Sequence, residues 1–82
     1  MSASLSQDGQ FGAVVRRVLV ENYGKLKGGA KLLARDAKAS PRTAENWLEG
    51  YCTPNAEKLV NVMKHCRELR QVIFEMAEED HG

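Results

Sequence analysis

The stretch LLARDAKASPRTAENWLEG, residues 32–50, decides the fold, because it contains two short helical patterns with a tight connection between them. Ser40 followed by Pro41 predicts a helix start, since serine caps N-terminal amides and proline needs no hydrogen-bonded N–H at the first helical position. Gly50 predicts the end of this helix, because glycine readily adopts the left-handed conformation of a helix exit.

Another short helix is predicted directly before it, over residues 30–37. Only three residues, 38–40, connect the two helices, so they must cross at a steep angle, and Ala34 leaves room for a close crossing. The apolar residues that would meet in this angle are Leu33, Ala37, Ala39, Ala44 and Trp47. This pattern is typical of a helix-turn-helix, whose second helix can enter the major groove of B-DNA.

Helical spacing of apolar residues also predicts a helix near the N-terminus. Its apolar positions are 11, 14, 15, 18 and 19, and Gly24 is placed to end it. Residues 1–8 are small and polar, and we expect them to form a flexible N-terminus. The stretch KLKGG, residues 25–29, is expected to be a basic turn.

The C-terminal third of the chain predicts a helical region over residues 55–79, which Asn55 is suited to start. Its apolar positions recur in steps of three and four, which fits one long helix or two helices joined by a turn near residues 66–68. The chain has no β pattern, no repeat and no apolar run long enough to span a membrane. We therefore expect a single all-α domain of four to five helices over residues 9–82, with the helix-turn-helix at residues 30–49.

The net charge of +1 hides an uneven distribution along the chain. Residues 16–42 carry eight basic and two acidic residues, a net charge of +6, whereas residues 43–82 carry a net charge of −4. A basic segment favours a polyanionic partner such as nucleic acid. Because Cys52 and Cys66 are too few for a disulfide scaffold and no signal-peptide pattern is present, we expect a reduced, cytoplasmic protein.

Residues 32–66 resemble the helix-turn-helix domain of the Cro/C1-repressor (Xre-like) family. The matching positions are Leu33, Ala34, Ser40, Thr43, Trp47, Gly50, Pro54, Leu59 and Val62. The resemblance implies a lambda-repressor-like fold and a small phage- or bacterial-type transcriptional regulator that binds specific double-stranded DNA with the recognition helix 41–49. Three positions depart from the family pattern: Lys38 replaces the usual turn glycine, Leu48 replaces an acidic residue, and Ala44 replaces a larger aliphatic residue.

The resemblance also implies which residues contact DNA. The expected contacts to base edges come from Pro41, Arg42, Thr43, Glu45 and Asn46. Arg42 suits guanine, Asn46 suits adenine, and Glu45 suits cytosine or orients Arg42. The alternative is an exposed Arg42–Glu45 pair that contributes little. Phosphate contacts are expected from helix N-termini, nearby cations and the loop after the recognition helix, at Lys27, Gly29, Ala30, Lys31, Lys38, Tyr51 and Thr53.

Apolar residues near the C-terminus extend beyond the minimal fold, and they either pack on the first helix or meet a second subunit. We expect a homodimer, because a two-fold protein can bind two half-sites one helical turn apart. The residues expected at its interface are Leu69, Val72, Ile73 and Met76.

The remaining function classes are less well supported by the residues. The cysteines and histidines lack a zinc spacing, and the chain has no glycine-rich phosphate loop and no acid–base pair, so we expect neither a metal, a cofactor, a small-molecule ligand nor an enzymatic activity. The alternative to DNA binding is a protein-binding module on the same fold, antitoxin-like or a host-takeover factor, which would use Leu48 and the last helix.

Overall fold

A computed structural model describes residues 2–81 of the chain, and the side chains of residues 10–78. This part of the chain contains five α-helices, one π-helical segment and no β-strand, which confirms the all-α prediction. The elements are α1 (Ser2–Leu19), the π segment (Val20–Gly24), α2 (Gly29–Ala37), α3 (Pro41–Glu49), α4 (Ala56–Met63) and α5 (Arg67–His81).

Local side chains set the ends of α3 and α4. The Ser40 hydroxyl caps α3 by accepting a hydrogen bond of 3.1 Å from the Thr43 N–H. The Asn55 side chain caps α4 in the same way, accepting from the Lys58 N–H at 2.9 Å. Gly50 ends α3 with a left-handed φ of 86°. The predicted start and end of α3 and the predicted start of α4 are therefore confirmed.

The first helix extends further toward the N-terminus than its apolar stripe predicts. It begins at Ser2, whereas the stripe begins at Phe11. The expected flexibility of residues 1–8 stays a prediction, because their side chains lie outside the described ones. At its other end the helix continues into the π segment and ends at Gly24, the predicted position.

The core lies where the π segment and all five helices meet. Its buried residues are Val15, Val18, Leu19, Tyr23, Leu33, Ala34, Ala37, Ala44, Trp47, Val62, Cys66 and Leu69. The inward positions predicted for α2 and α3 are confirmed. Trp47 is only 3% exposed, so it is a core residue and is not available to stack on a base. Because three alanines occupy the α2–α3 contact, the two helix backbones can approach closely.

Tyr23 in the π segment holds α2 near both of its ends. Its backbone carbonyl oxygen lies so close to Gly29, the first residue of α2, that a Cβ at position 29 would overlap it. Its hydroxyl donates a hydrogen bond of 2.7 Å to Oδ2 of the buried Asp36. The other carboxylate oxygen accepts from the Arg35 guanidinium at 3.3 Å. These bonds offset the cost of burying the Asp36 carboxylate.

The turn between α2 and α3 contains a lysine in the left-handed conformation. Lys38 has φ 61° and ψ 49°, and within residues 2–81 it is the one non-glycine residue with a positive φ. Two side chains of α4 hold the carbonyls of this turn. The Lys58 ammonium donates to the Lys38 carbonyl at 2.6 Å, and the Asn61 amide donates to the Ala37 carbonyl at 3.0 Å. Helix α4 therefore stabilises the turn with two side-chain hydrogen bonds.

The C-terminal region forms two helices, which decides between the two alternatives that the sequence left open. The chain turns at residues 64–66, and the Cys66 carbonyl accepts the hydrogen bond that opens α5, from the Arg70 N–H at 3.2 Å. Helix α5 then packs against α1. The Asn22 amide links α5 to the π segment by donating to the Glu68 carboxylate at 2.8 Å.

This packing corrects the predicted dimer interface. Leu69 is fully buried within the chain, so it cannot form a contact surface for a second copy. Val72 and Ile73 pack against the same core, and Met76 is half-buried. The apolar stripe of α5 therefore faces inward, because the first helix offers it a complementary apolar surface.

We expect Tyr23→Phe to lower the free energy of unfolding by about 1–3 kcal/mol, because it leaves the buried Asp36 carboxylate without its closest donor. Tyr51→Phe is the matched control, since Tyr51 is 77% exposed and forms no part of the core. Urea unfolding followed by circular dichroism measures both variants. Equal stability of the two variants would contradict the role assigned to Tyr23.

We also expect Tyr23 to make the free energy of unfolding fall at alkaline pH. Burial raises the pKa of Tyr23 above its usual 10.0, and the hydrogen bond to Asp36 and the negative charge of Asp36 raise this pKa further. The folded state therefore keeps the phenol proton to a higher pH than the unfolded state. The contribution of protonated Tyr23 to the free energy of unfolding is complete below about pH 10 and is lost as the pH rises above it. Urea unfolding between about pH 9 and about pH 11 should show a steeper decline for the wild type than for Tyr23→Phe.

Lys38→Gly should raise the free energy of unfolding by about 1 kcal/mol, because glycine adopts the left-handed conformation without a Cβ clash. Lys64→Gly is the matched control, because Lys64 also follows the last residue of a helix but has a right-handed φ of −66°. Both variants lose one lysine charge, but only Lys38 has a positive φ. Lys64→Gly should lower the free energy of unfolding. If both variants change it in the same direction, relief of left-handed strain at Lys38 is not the cause.

Candidate nucleic-acid interface

Helix α3 contacts the rest of the domain mainly through its inner face. Ala44 and Trp47 are buried, whereas Pro41, Arg42, Glu45 and Glu49 are exposed and Asn46 is half-buried. The spacing of three and four residues places the exposed side chains on one side of the helix. The outer face of α3 is therefore a surface of polar and charged side chains on a helix with a fixed position.

Four of the five residues predicted to contact bases lie on this surface. Arg42 and Glu45 form no ion pair with each other in the described part of the chain, so both side chains present their polar groups to solvent. Thr43 differs from the others. It is half-buried, and its Oγ1 accepts a hydrogen bond of 2.9 Å from the Ser40 hydroxyl, so its first role is in the N-terminal cap of α3.

The predicted phosphate-contacting residues of α2 divide into two groups. Ala30 and Lys31 lie in the first turn of α2, and Gly28 before them has no side chain to cap their amides. An uncapped helix N-terminus is a favourable place for an anion. Gly29 requires a correction, because it is buried and its N–H already donates to the Leu26 carbonyl at 2.9 Å. Its role is the close approach to Tyr23, and not a phosphate contact.

The remaining predicted phosphate contacts are exposed side chains around the helix-turn-helix. Lys27 precedes α2, Lys38 lies in the turn, and Tyr51 and Thr53 follow α3. The structure places all four side chains in solvent, with Tyr51 77% exposed. The Lys38 backbone carbonyl accepts a hydrogen bond from Lys58, which fixes the backbone of the turn from which the Lys38 side chain extends.

Arg16 of α1 is a positioning residue that the sequence did not reveal. Its Nε donates a hydrogen bond of 2.9 Å to the Leu48 carbonyl in the last turn of α3. Its Nε and Cδ also lie 3.1 and 3.2 Å from the place that a Cβ on Gly50 would occupy. A positive charge at a helix C-terminus is favourable. The sequence offers only a basic residue beside an apolar stripe, which does not show which carbonyl it reaches.

The acidic residues of the basic segment are largely neutralised within the fold. Glu21 pairs with Arg17 at 3.5 Å, and Asp36 is buried and bonded to Tyr23 and Arg35. The exposed lysines around α2 and the turn form no ion pair within the described part of the chain, and these are Lys25, Lys27, Lys31 and Lys38. The two exposed anions on the outer face of α3 are Glu45 and Glu49.

Two positions that the sequence singled out have structural roles. Leu48 is half-buried, packs against the core and lies near Gly24, so it extends the core and offers little surface to a partner. Cys66 is buried and Cys52 is exposed, and neither forms a disulfide. No cluster of three or more potential metal ligands occurs among the described side chains. Within the described range, every helix is too short or too polar to cross a membrane.

No protein-family model matches the chain, and neither a curated protein nor a solved structure matches it. The geometry of the helix-turn-helix is therefore the main basis for a functional conclusion.

Gly50→Ala should destabilise the protein more than Gly28→Ala does. Both glycines have a positive φ, 86° and 72°, but only the new Cβ at position 50 would meet another side chain, that of Arg16. Each variant pays about 1 kcal/mol for the left-handed backbone, and Gly50→Ala also disturbs the Arg16–Leu48 hydrogen bond, worth about 0.5–1.5 kcal/mol.

The Arg16→Ala background provides the control for this prediction. In that background the two glycine substitutions should lower the free energy of unfolding by the same amount, because the Arg16 side chain no longer crowds the new Cβ at position 50. A difference that persists without the arginine would show that Arg16 does not hold the end of α3. Thermal unfolding of the four variants and the two parents measures the cycle.

Proposed function

We propose that this chain binds specific sequences in double-stranded DNA with α3 in the major groove, as a small transcriptional regulator. The observation that carries the proposal is the exposed outer face of α3, whose inner face is fixed by Ala44 and Trp47. B-DNA admits one helix in its major groove, and a helix on a rigid support can present side chains to base edges. The resemblance of residues 32–66 to the Cro/C1-repressor family supports the same function.

The first half of α3 carries the proposed base contacts. Arg42 is exposed and suits a bidentate contact to guanine, and Asn46 suits adenine. Glu45 accepts from the amino group of cytosine or orients Arg42 once DNA is bound. Pro41 offers an apolar surface to a thymine methyl group. Thr43 contributes mainly by capping the helix that presents the other four.

The proposed phosphate contacts surround this helix. The uncapped amides of Ala30 and Lys31 lie at the N-terminus of α2, and the side chains of Lys27 and Lys38 flank the same helix. Tyr51 and the following loop are suited to the other backbone strand. Because these contacts displace counterions from the phosphates, we expect the affinity to fall steeply with salt.

Two further parts of the proposal concern the assembly and location of the protein. We propose a homodimer, because two helix-turn-helix units related by a two-fold axis bind adjacent half-sites about one helical turn, or about 34 Å, apart. A DNA-binding regulator of this kind acts in the cytoplasm of a bacterial cell, on the nucleoid.

A protein-binding module is the second candidate. The exposed Phe74 on α5 and the exposed Glu49 on α3 favour it, because an apolar and an acidic surface side chain suit a protein partner better than DNA. The burial of Leu48 weighs against it by removing one of the surfaces that it would use.

The decisive experiment is the selection of bound sequences from a random duplex pool at roughly physiological salt, where non-specific binding is weak. We expect a short conserved half-site, repeated as an inverted pair when two subunits bind. Recovery of no sequence by a protein that shows a folded helical spectrum would overturn DNA binding and favour the second candidate.

Two substitutions on the selected duplex separate base contacts from phosphate contacts. Arg42→Ala should cost about 1–3 kcal/mol of binding free energy and relax the preference at one base pair. Lys31→Ala should weaken binding evenly on all sequences and reduce the slope of log affinity against log salt by about 1. Fluorescence anisotropy at several salt concentrations measures both effects.

Lys64→Ala is the matched control for the lysine, because Lys64 is exposed in the α4–α5 turn, outside the helix-turn-helix segment of the chain. It should leave both the affinity and the salt slope unchanged. If Lys64→Ala lowers the slope of log affinity against log salt as much as Lys31→Ala does, the proposed contact between Lys31 and a phosphate is wrong.

A further inference from the structure

The outer face of α1 and the π segment carries a cavity that is open to solvent. Its volume is about 410 Å³, and its lining residues are Ala13, Arg16, Arg17, Val20, Glu21 and Lys25. At 3.6 residues per turn, positions 13, 16, 17, 20 and 21 lie on the side of the helix opposite the buried Val15, Val18 and Leu19. The cavity is therefore separate from the core.

A second cavity adjoins the first one. Its volume is about 380 Å³, it shares Ala13 and Arg16 with the first cavity, and it continues over Gly12 to Cys52 in the loop after α3. We call the two cavities together the α1 groove, which follows the chain from Gly12 to Lys25. At about 1.5 Å per residue this distance is roughly 20 Å, the length of about six extended residues.

Positive charge dominates the first cavity of the α1 groove. Its lining has three cations and one anion, so its net charge is +3 − 1 = +2. The anion, Glu21, pairs with Arg17 at 3.5 Å, but both side chains are about half exposed, so the pair is weak. Lys25 is exposed and forms no ion pair within the described part of the chain. Arg16 uses its Nε on the Leu48 carbonyl, and its guanidinium has further N–H groups to donate.

We propose that the α1 groove binds an acidic peptide segment of a partner protein. Carboxylates of the peptide contact Arg16, Arg17 and Lys25, and a small apolar side chain lies on Val20. A guanidinium can donate two parallel N–H groups to one carboxylate, so the arginines orient the peptide as well as attract it. Sites for small molecules enclose most of the ligand, whereas this groove is open and long, which favours a peptide.

Each half of the α1 groove also contains an anion, which favours a peptide over DNA as its occupant. Glu21 lines the first cavity and Glu49 lines the second. A phosphate backbone is uniformly negative and would meet both carboxylates, whereas a peptide can place an uncharged or basic residue beside Glu49. The inference goes beyond the proposed function, because the proposed base contacts lie in the first half of α3 and the groove lies beside its last turn, where Arg16 bonds to Leu48.

The first test is a selection from a displayed library of random peptides of about eight residues, with the wild-type protein and without DNA. We expect the retained peptides to be enriched in aspartate and glutamate. The same library is passed over a groove variant, Arg17→Glu with Lys25→Glu, which should retain none of them. Arg16 is left in place because it also holds the end of α3.

Fluorescence anisotropy then measures the affinity of one enriched peptide at roughly physiological salt, where distant charges are screened. The groove variant should bind at least about tenfold more weakly, since two attractions become repulsions. A control variant, Lys64→Glu with Arg67→Glu, makes the same change of net charge at two exposed cations that do not line the groove. It should bind nearly as tightly as the wild type, and circular dichroism checks that both variants fold.

The exposed thiol of Cys52 gives a test of position, because it lines the second cavity whereas Cys66 is buried. The enriched peptide is prepared with an activated disulfide at one end or at the other. We expect one of the two peptides to form a disulfide with Cys52 faster than the free activated reagent does, and an excess of unmodified peptide to suppress the reaction. Cys52→Ser should form no cross-link.

Three results would overturn the inference: no enrichment of acidic peptides by the folded wild type, an equal loss of affinity in the groove and control variants, or cross-linking to Cys52 no faster than with the free reagent. A protein that enriches no peptide, and whose groove variant loses affinity for a selected duplex, would assign the groove to the DNA backbone. The peptide selection uses no DNA, so its failure alone removes only this inference. A protein that selects acidic peptides but no duplex removes only the proposed function.

Discussion

The contact between the π segment and α2 is the constraint on which the rest of the structure depends. Tyr23 approaches Gly29 through its backbone and Asp36 through its hydroxyl, so one residue sets both the distance and the orientation of α2. Helix α3 follows after a turn too short to allow an independent orientation. The position of the outer face of α3 therefore depends on a tyrosine that is itself buried in the core.

Three hydrogen bonds from other helices then hold α3 near both of its ends. Lys58 and Asn61 of α4 hold the carbonyls of the turn, and Arg16 of α1 holds the last turn of α3. Such supports would lower the cost of binding in the proposed function, because the helix is already in place before a partner is met. They also explain how the domain accepts a lysine at a left-handed position that glycine would occupy with less strain.

Helix α5 shows where reasoning from a pattern reaches its limit. Its apolar stripe predicts a buried face, but a periodic stripe does not show what covers it. The stripe packs on α1 within one subunit, so Leu69 could not serve the interface that the sequence suggested. The exposed Phe74 was missed because a single apolar residue between charged ones has no periodic signal.

The sequence by itself determined the helical class, the limits of α3 and the residues on its outer and inner faces. Those features follow from capping, glycine conformations and the 3.6-residue period, which act over a few neighbouring residues. Only the tertiary structure decided that the C-terminal region folds as two helices, that Gly29 serves packing and that Arg16 reaches the Leu48 carbonyl. These depend on contacts between residues distant in the chain, and a side chain's partner across such a distance is set by the packing of whole helices.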